Sequence, residues 1–161
     1  MTKTRKQRGH PVAVAVFDTD KVKGEVVAKP FSTGVKLEVS FTDLPPGPHG
    51  FHIHKAGDLR GKGCQGACSH YHKGSPQSHG GAPGETKHRH TGDLGNIALE
   101  HGSYKHTYVL HRVSVQDLWG RSAIVHADED DLGLGPHEDS STTGHSGGRI
   151  ACAIFGRGLE C

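Results

Sequence analysis

The sequence predicts an all-β fold, a sandwich or flattened barrel of eight short strands carrying two long functional loops. Three observations predict it. Glycine is abundant, with 24 residues in a chain of 161; helix-favouring runs are scarce; and short apolar stretches recur between turn residues. A chain of this length fits one domain and can bury a real core. Only 32% of its residues are hydrophobic. They cluster in alternating runs, however, which is the pattern of a folded core with polar loops and not of a disordered chain.

Val12, Val14 and Val16, with Ala13 and Ala15 between them, make the first strand, and residues 24–29 the second. Val35-Lys36-Leu37-Glu38-Val39-Ser40-Phe41-Thr42 alternates apolar and polar with period two, so this strand has one buried face. Leu44-Pro45-Pro46-Gly47-Pro48 is a rigid connection to a fourth strand at 50–54. Further strands are expected at 96–99, 107–110, 122–126 and 150–155, with no helix longer than a turn or two. Segments 55–92 and 127–148 break the pattern, the first rich in Gly, Ser, Lys and His, the second in Asp, Gly, Ser and Thr. Long loops inside a compact domain tend to be functional or disordered. Residues 1–10, with Lys3, Arg5, Lys6 and Arg8, read as a flexible basic N-terminal arm, and residues 11–161 as the domain.

A net charge of +2 is too small to suggest a nucleic-acid partner. No apolar run approaches the length of a membrane span, and the basic start is not followed by the apolar segment of a secretory signal. A cytoplasmic location is the expectation.

Fifteen histidines are the outstanding feature of the composition. Histidine is a common transition-metal ligand. His52 and His54 lie two apart in an expected strand, so both side chains leave one face about 7 Å apart and can converge on one ion. His126 ends another apolar strand. His70, His79, His90 and Asp93 offer three imidazoles and a carboxylate, a four-ligand set suited to zinc, with no thiolate to suggest an iron–sulfur cluster. Taken singly, each histidine could equally be an exposed surface residue. The remaining nine, His10, His49, His72, His88, His101, His106, His111, His137 and His145, are expected at the surface.

Gly50-Phe51-His52-Ile53-His54, His79-Gly80-Gly81, Gly92-Asp93-Leu94-Gly95-Asn96 and Gly148-Arg149-Ile150-Ala151-Cys152 occur in this order with fitting separations. Together they resemble the copper/zinc superoxide dismutase family over residues from about 11 to 156. The resemblance implies an immunoglobulin-like Greek-key sandwich holding one copper and one zinc ion. It assigns copper to His52, His54, His70 and His126, and zinc to His70, His79, His90 and Asp93, with His70 shared. Asp130 would link outer nitrogens of His52 and His79, fixing their tautomers. Superoxide is the implied substrate. Arg149 is the implied anion guide, and His70 the residue that releases copper on reduction and takes a proton. A homodimer is implied, with Trp119, Gly120 and the Ile154-Phe155 segment near the contact surface, and a copper chaperone as a delivery partner.

Four cysteines allow three fully paired connectivities. The resemblance selects Cys64–Cys152, a cross-link that contributes about 4–5 kcal/mol on the chain-entropy account. Cys68 and Cys161 are then unpaired, and Cys68, four residues from Cys64, is a competitor in the pairing with Cys152. The chain departs from the family in the channel: where well-known cytosolic members carry lysines, it has Asp128 and Thr142, beside Glu138 and Asp139. Weaker electrostatic steering follows. The alternatives to an enzyme of this family are a copper-delivery or scavenging relative without turnover, and a zinc hydrolase. The four-ligand zinc set leaves the hydrolase no open position.

Overall fold

The computed structural model describes residues 9–159. Residues 1–8 of the expected arm, and Cys161, lie outside the described residues. Nine strands run in the order β1 Pro11–Asp18, β2 Lys23–Phe31, β3 Gly34–Asp43, β4 His49–His54, β5 Asp93–Ile97, β6 Tyr104–His111, β7 Ser122–His126, β8 Arg149–Ile154 and β9 Gly156–Leu159. They form two antiparallel sheets, β6-β3-β2-β1-β9 and β5-β4-β7-β8. The chain changes sheet after β3, β5, β6 and β8, the over-and-under route of a Greek key. Two single helical turns, α1 Val115–Leu118 and α2 Ser140–Thr143, complete the regular structure among the described residues, with one 3₁₀ turn at Gln65–Ala67.

Side-chain alternation decides which way each strand faces. On β3, Val35, Leu37, Val39 and Phe41 are at most 3% exposed. The intervening Lys36 and Glu38 pair on the outer face at 3.3 Å, where Lys29 of β2 also reaches Glu38 at 3.2 Å. The sheets meet through Phe17, Phe41 and Phe51, whose ring centroids lie 5.3–6.4 Å apart in tilted and edge-on contacts. Each such fully buried aromatic stabilises the sandwich by about 2–3 kcal/mol.

β4 and β7 differ from the other strands because every residue in them is buried. Phe51 and Ile53, with Ala123 and Val125, face the core. His52, His54 and His126 therefore leave the opposite face of the sheet, and they are buried only because the two long loops cover it. This places the histidines between a rigid sheet and polar loops.

Two expectations need correction. Among the described residues there are nine strands, not eight: Gly156–Leu159 has no apolar alternation and is a strand through backbone pairing with β1. β5 begins at Asp93 instead of Asn96, because Asp93 pairs with His52 across the sheet.

Candidate metal centre

The backbone of Ile53 assembles the site. Its N–H donates to the Gly92 carbonyl, and its carbonyl accepts from the Tyr71 N–H, both at 2.8 Å. Gly92 N–H donates in turn to the Tyr71 carbonyl at 2.8 Å. Two distant parts of the first loop are thereby laid on β4 between His52 and His54, which brings up His70, His90 and Asp93. Gly92 is required there, since a Cβ would meet the Ile53 carbonyl oxygen at 2.3 Å.

One ligand atom from each of His52, His54, His70 and His126 lies within 4.8 Å of the others. Their protonation follows from their partners. His54 Nδ1 faces the Cys68 carbonyl at 2.8 Å and His126 Nδ1 faces the Gly147 carbonyl at 3.2 Å. A carbonyl only accepts, so both Nδ1 atoms carry the proton. Burial keeps the two rings neutral, pushing the pKa of His54 down to about 2 and that of His126 to about 4. Their bare Nε2 atoms then face each other at 3.4 Å. His52 Nε2 donates to Asp130 at 2.6 Å, while His52 Nδ1 and His70 Nε2 are buried with no hydrogen-bond partner. Lone pairs turned toward one another, two of them on orphaned buried atoms, are costly unless a cation lies among them. The donor set therefore fits a transition-metal ion with imidazole ligands.

His70, His79, His90 and Asp93 form a second set within the same limit, joined to the first through His70. His70 Nδ1 and His79 Nδ1 lie 2.9 and 3.1 Å from Asp93 Oδ1, and His90 Nδ1 lies 3.3 Å from the carboxylate. Asp93 Oδ2 accepts from the N–H groups of Gly80 and His90. Burial opposes the Asp93 charge, but its three imidazole contacts hold the carboxyl far below the usual carboxylate range. Three nitrogens and an anionic oxygen suit zinc. Asp130 connects the sets, accepting from His52 through one oxygen and from His79 Nε2 at 2.8 Å through the other.

Arg149, at the start of β8, donates from Nη1 to the Cys64 carbonyl at 2.6 Å and from Nη2 to the Cys68 carbonyl at 2.5 Å. Cys64 is bonded to Cys152 with 6.2 Å between the Cα atoms. Cys68 is free and exposed. A concavity lined by Lys55, Ser69, His72, Ser141 and Thr142 has His70 in its wall. Of the channel substitutions, Asp128, Glu138 and Thr142 are exposed, and Asp139 pairs with His145 at 2.7 Å.

Three residues that assemble the site were not picked out in the sequence. His49, expected at the surface, is buried at 3%, with Nδ1 2.9 Å from the His126 carbonyl and Nε2 2.9 Å from the Pro45 carbonyl. It fixes the backbone that carries His126; its place two residues before Phe51, in step with the core-facing residues of β4, was the available signal. Asn96 holds Asp130 through both backbone groups, donating to its carbonyl at 2.9 Å and accepting from its N–H at 2.7 Å. Gly144 has φ 71°, and a Cβ there would meet Asp130 Oδ1 at 2.0 Å and His79 Nε2 at 2.4 Å. No local sequence signal marks it. Trp119 is half-buried and donates from Nε1 to the Val12 carbonyl at 3.0 Å, while Phe155 is 1% exposed and belongs to the core, so Ile154 alone of its pair faces solvent.

The copper/zinc superoxide dismutase (SODC) family model matches residues 22–155. A protein of Paramecium bursaria Chlorella virus 1 named Cu-Zn superoxide dismutase is 42% identical over 153 residues, 92% of this chain and 79% of the relative. An extracellular Cu-Zn superoxide dismutase of Drosophila melanogaster is 43% identical over 145 residues, 86% of this chain and 78% of that one. Among solved structures, the clock protein EA4 superposes with a TM-score of 0.76 at 32% identity, covering 97% of this chain and 99% of its own.

Proposed function

The chain belongs to the copper/zinc superoxide dismutase family, and we propose that it dismutates superoxide at two metal positions that share His70. Two superoxide ions and two protons yield dioxygen and hydrogen peroxide. The observation that carries the reading is the pair of orphaned buried atoms, His52 Nδ1 and His70 Nε2, in a cluster of bare imidazole nitrogens. One copper in the set His52, His54, His70 and His126, and one zinc in the set His70, His79, His90 and Asp93, satisfy every donor. When bound, copper supplies one-electron exchange and zinc a fixed charge without redox chemistry.

The side chains around these positions divide the remaining work. Arg149, braced by two carbonyls, presents a fixed cation to an incoming anion. Asp130 keeps one imidazole of each set in register. His70 Nε2 is the atom that takes and returns a proton, while its Nδ1 stays beside Asp93. Loading a cluster this deeply buried requires the covering loops to open, which suits delivery by a copper chaperone.

A homodimer belongs to the proposal. Ile154 is 42% exposed, and Gly57 packs against it and against the Gly120 carbonyl, which offers an apolar contact surface; Leu59, 39% exposed, is a further apolar group on the same loop. A monomer by light scattering at micromolar concentration would overturn it. Location in the cytoplasm is checked by fractionation, and recovery from the medium would overturn that part. The central test is elemental analysis with a superoxide consumption assay. About one copper and one zinc per chain with fast turnover is expected, and bound copper without turnover would indicate a delivery protein.

A further inference from the structure

We propose that Arg121 is a positioning residue for the copper set, clamping both sides of the short backbone bridge that holds His54 against His70. The inference rests on the reading that these imidazoles bind copper, and it adds the residue that sets their spacing.

His54 and His70 face each other as a single antiparallel bridge outside the ladders of the two sheets. Lys55 N–H donates to the Ser69 carbonyl at 2.9 Å, and Tyr71 N–H donates to the Ile53 carbonyl at 2.8 Å. In this arrangement the two facing residues form the narrow pair of the antiparallel pattern, whose side chains leave one face at closest approach. The rings follow, with centroids 4.8 Å apart. His52 and His126 sit in the paired strands β4 and β7, whereas His70 comes from a loop and depends on this bridge for its place. One step of register moves a side chain by about 3.4 Å, more than a metal–nitrogen bond of about 2.0–2.1 Å tolerates.

Arg121, immediately before β7, grips both sides of the bridge. Its Nη1 donates to the Lys55 carbonyl at 2.9 Å. Its guanidinium carbon lies 3.9 Å from the centroid of the Tyr71 ring. Lys55 follows His54 and Tyr71 follows His70, so one planar group touches the residue after each imidazole. Tyr71 is 3% exposed and packs in the core, which makes its ring a fixed plate. Only a guanidinium can stack its face on a ring while its edge donates to carbonyls.

The clamp is itself anchored. Arg121 Nε donates to the Asp117 carbonyl at 2.6 Å, and its backbone bonds to the Leu118 carbonyl and the Phe155 N–H. Asp117 extends the hold along the same loop, because its carboxylate accepts from Lys73 Nζ at 2.7 Å. The carboxylate also accepts from the Ser114 N–H at 2.8 Å, closing the cap of α1. Loop, helical turn and sheet are thereby tied together at Arg121, on the side of the bridge away from the imidazoles.

The test reads the copper position directly in protein loaded with copper and zinc. The visible and electron paramagnetic resonance spectra of the cupric ion report ligand arrangement, and transfer to a chelator reports retention. Arg121→Met keeps length without the charged fork, and Tyr71→Leu fills the core without the ring. Each should shift the spectra and speed copper release by about tenfold, the lower end for outer partners of metal ligands. Tyr71→Phe keeps the ring face and should match wild type. The double variant should release copper little faster than either single one, since both remove the same clamp. Val39→Ala, in the core of the other sheet, is the control for general destabilisation. It should lower the melting temperature and leave spectra and release unchanged. Should Arg121→Met fail to fold, Arg121→Lys, with charge but no fork, takes its place. Wild-type spectra and release in the Arg121 and Tyr71 variants overturn the proposal, as do effects that multiply in the double variant or that Val39→Ala reproduces. A wild-type protein whose copper spectra show no imidazole set refutes the copper reading itself, and the inference with it.

Discussion

His52 Nε2 donates a 2.6 Å hydrogen bond to Asp130 Oδ2, and both side chains are fully buried. The other carboxylate oxygen takes His79, so a single residue outside both donor sets aligns one imidazole in each. Outer partners of this kind typically govern metal affinity by about 10–100-fold. Asp130→Ala should weaken zinc binding by that factor, read by competition with a calibrated chelator, with a smaller loss at the copper position. Wild-type affinity in the variant would show that the loops alone orient the rings.

Arg149 is held by two carbonyls and brings one fixed positive charge to the centre, while Asp128 and Glu138, the acidic residues of the expected channel, are exposed. Arg149→Gln should reduce the second-order rate constant for superoxide by about tenfold while leaving metal content unchanged. With acidic residues in place of cations around it, the wild-type rate should also fall only gently as salt is added. A steep salt dependence would contradict this reading of Asp128 and Thr142.

The sandwich was legible because alternation is a local signal: Val35, Leu37, Val39 and Phe41 announce a buried face in the sequence alone. His52 and His54 were legible for the same reason, being two apart on a strand. His70, His79 and His90 lie in loops with no periodicity, and only the ordered motifs picked them out. What stayed hidden was set by distant contacts. His49 looks like any polar residue at a strand start until the carbonyls of Pro45 and His126 close around it, and β9 has backbone partners but no side-chain pattern.

Cys68 sits where a residue without a side chain would be most at ease, at φ 63° and ψ −146°. Positions of this kind cost about 1–3 kcal/mol for residues bearing a Cβ. Cys68→Gly should recover about 1 kcal/mol, since glycine loses some of the gain through the extra freedom of its unfolded chain. The midpoint of denaturant unfolding should rise. A fall would mean that the thiol contributes packing that its exposure does not suggest.

The metal-free protein should be most stable near pH 6.5, and the reason is an opposition among its histidines. Burial holds His54 at a pKa of about 2 and His126 at about 4, against a usual value of 6.5. Below pH 6.5 the unfolded chain takes up protons that these two rings refuse, so stability falls as the pH drops. Each ring contributes about 1.4 kcal/mol per pH unit until its own folded value is passed. His79 behaves in the opposite sense. Burial lowers its pKa, but Asp130 and Asp93 outweigh that and raise it to about 9. Its contribution is complete below pH 6.5 and is lost as the pH climbs toward 9. Thermal unfolding in chelator should therefore trace a maximum near pH 6.5 with the steeper limb on the acid side, where His52 and His70, also lowered by burial, join His54 and His126 against His79 alone. A bound metal ion competes with protons for the same nitrogens, so adding zinc and copper should move the acid limb to lower pH. A melting temperature that rises steadily from pH 4.5 to 9, or that ignores pH altogether, would rule out neutral buried imidazoles in the metal-free state.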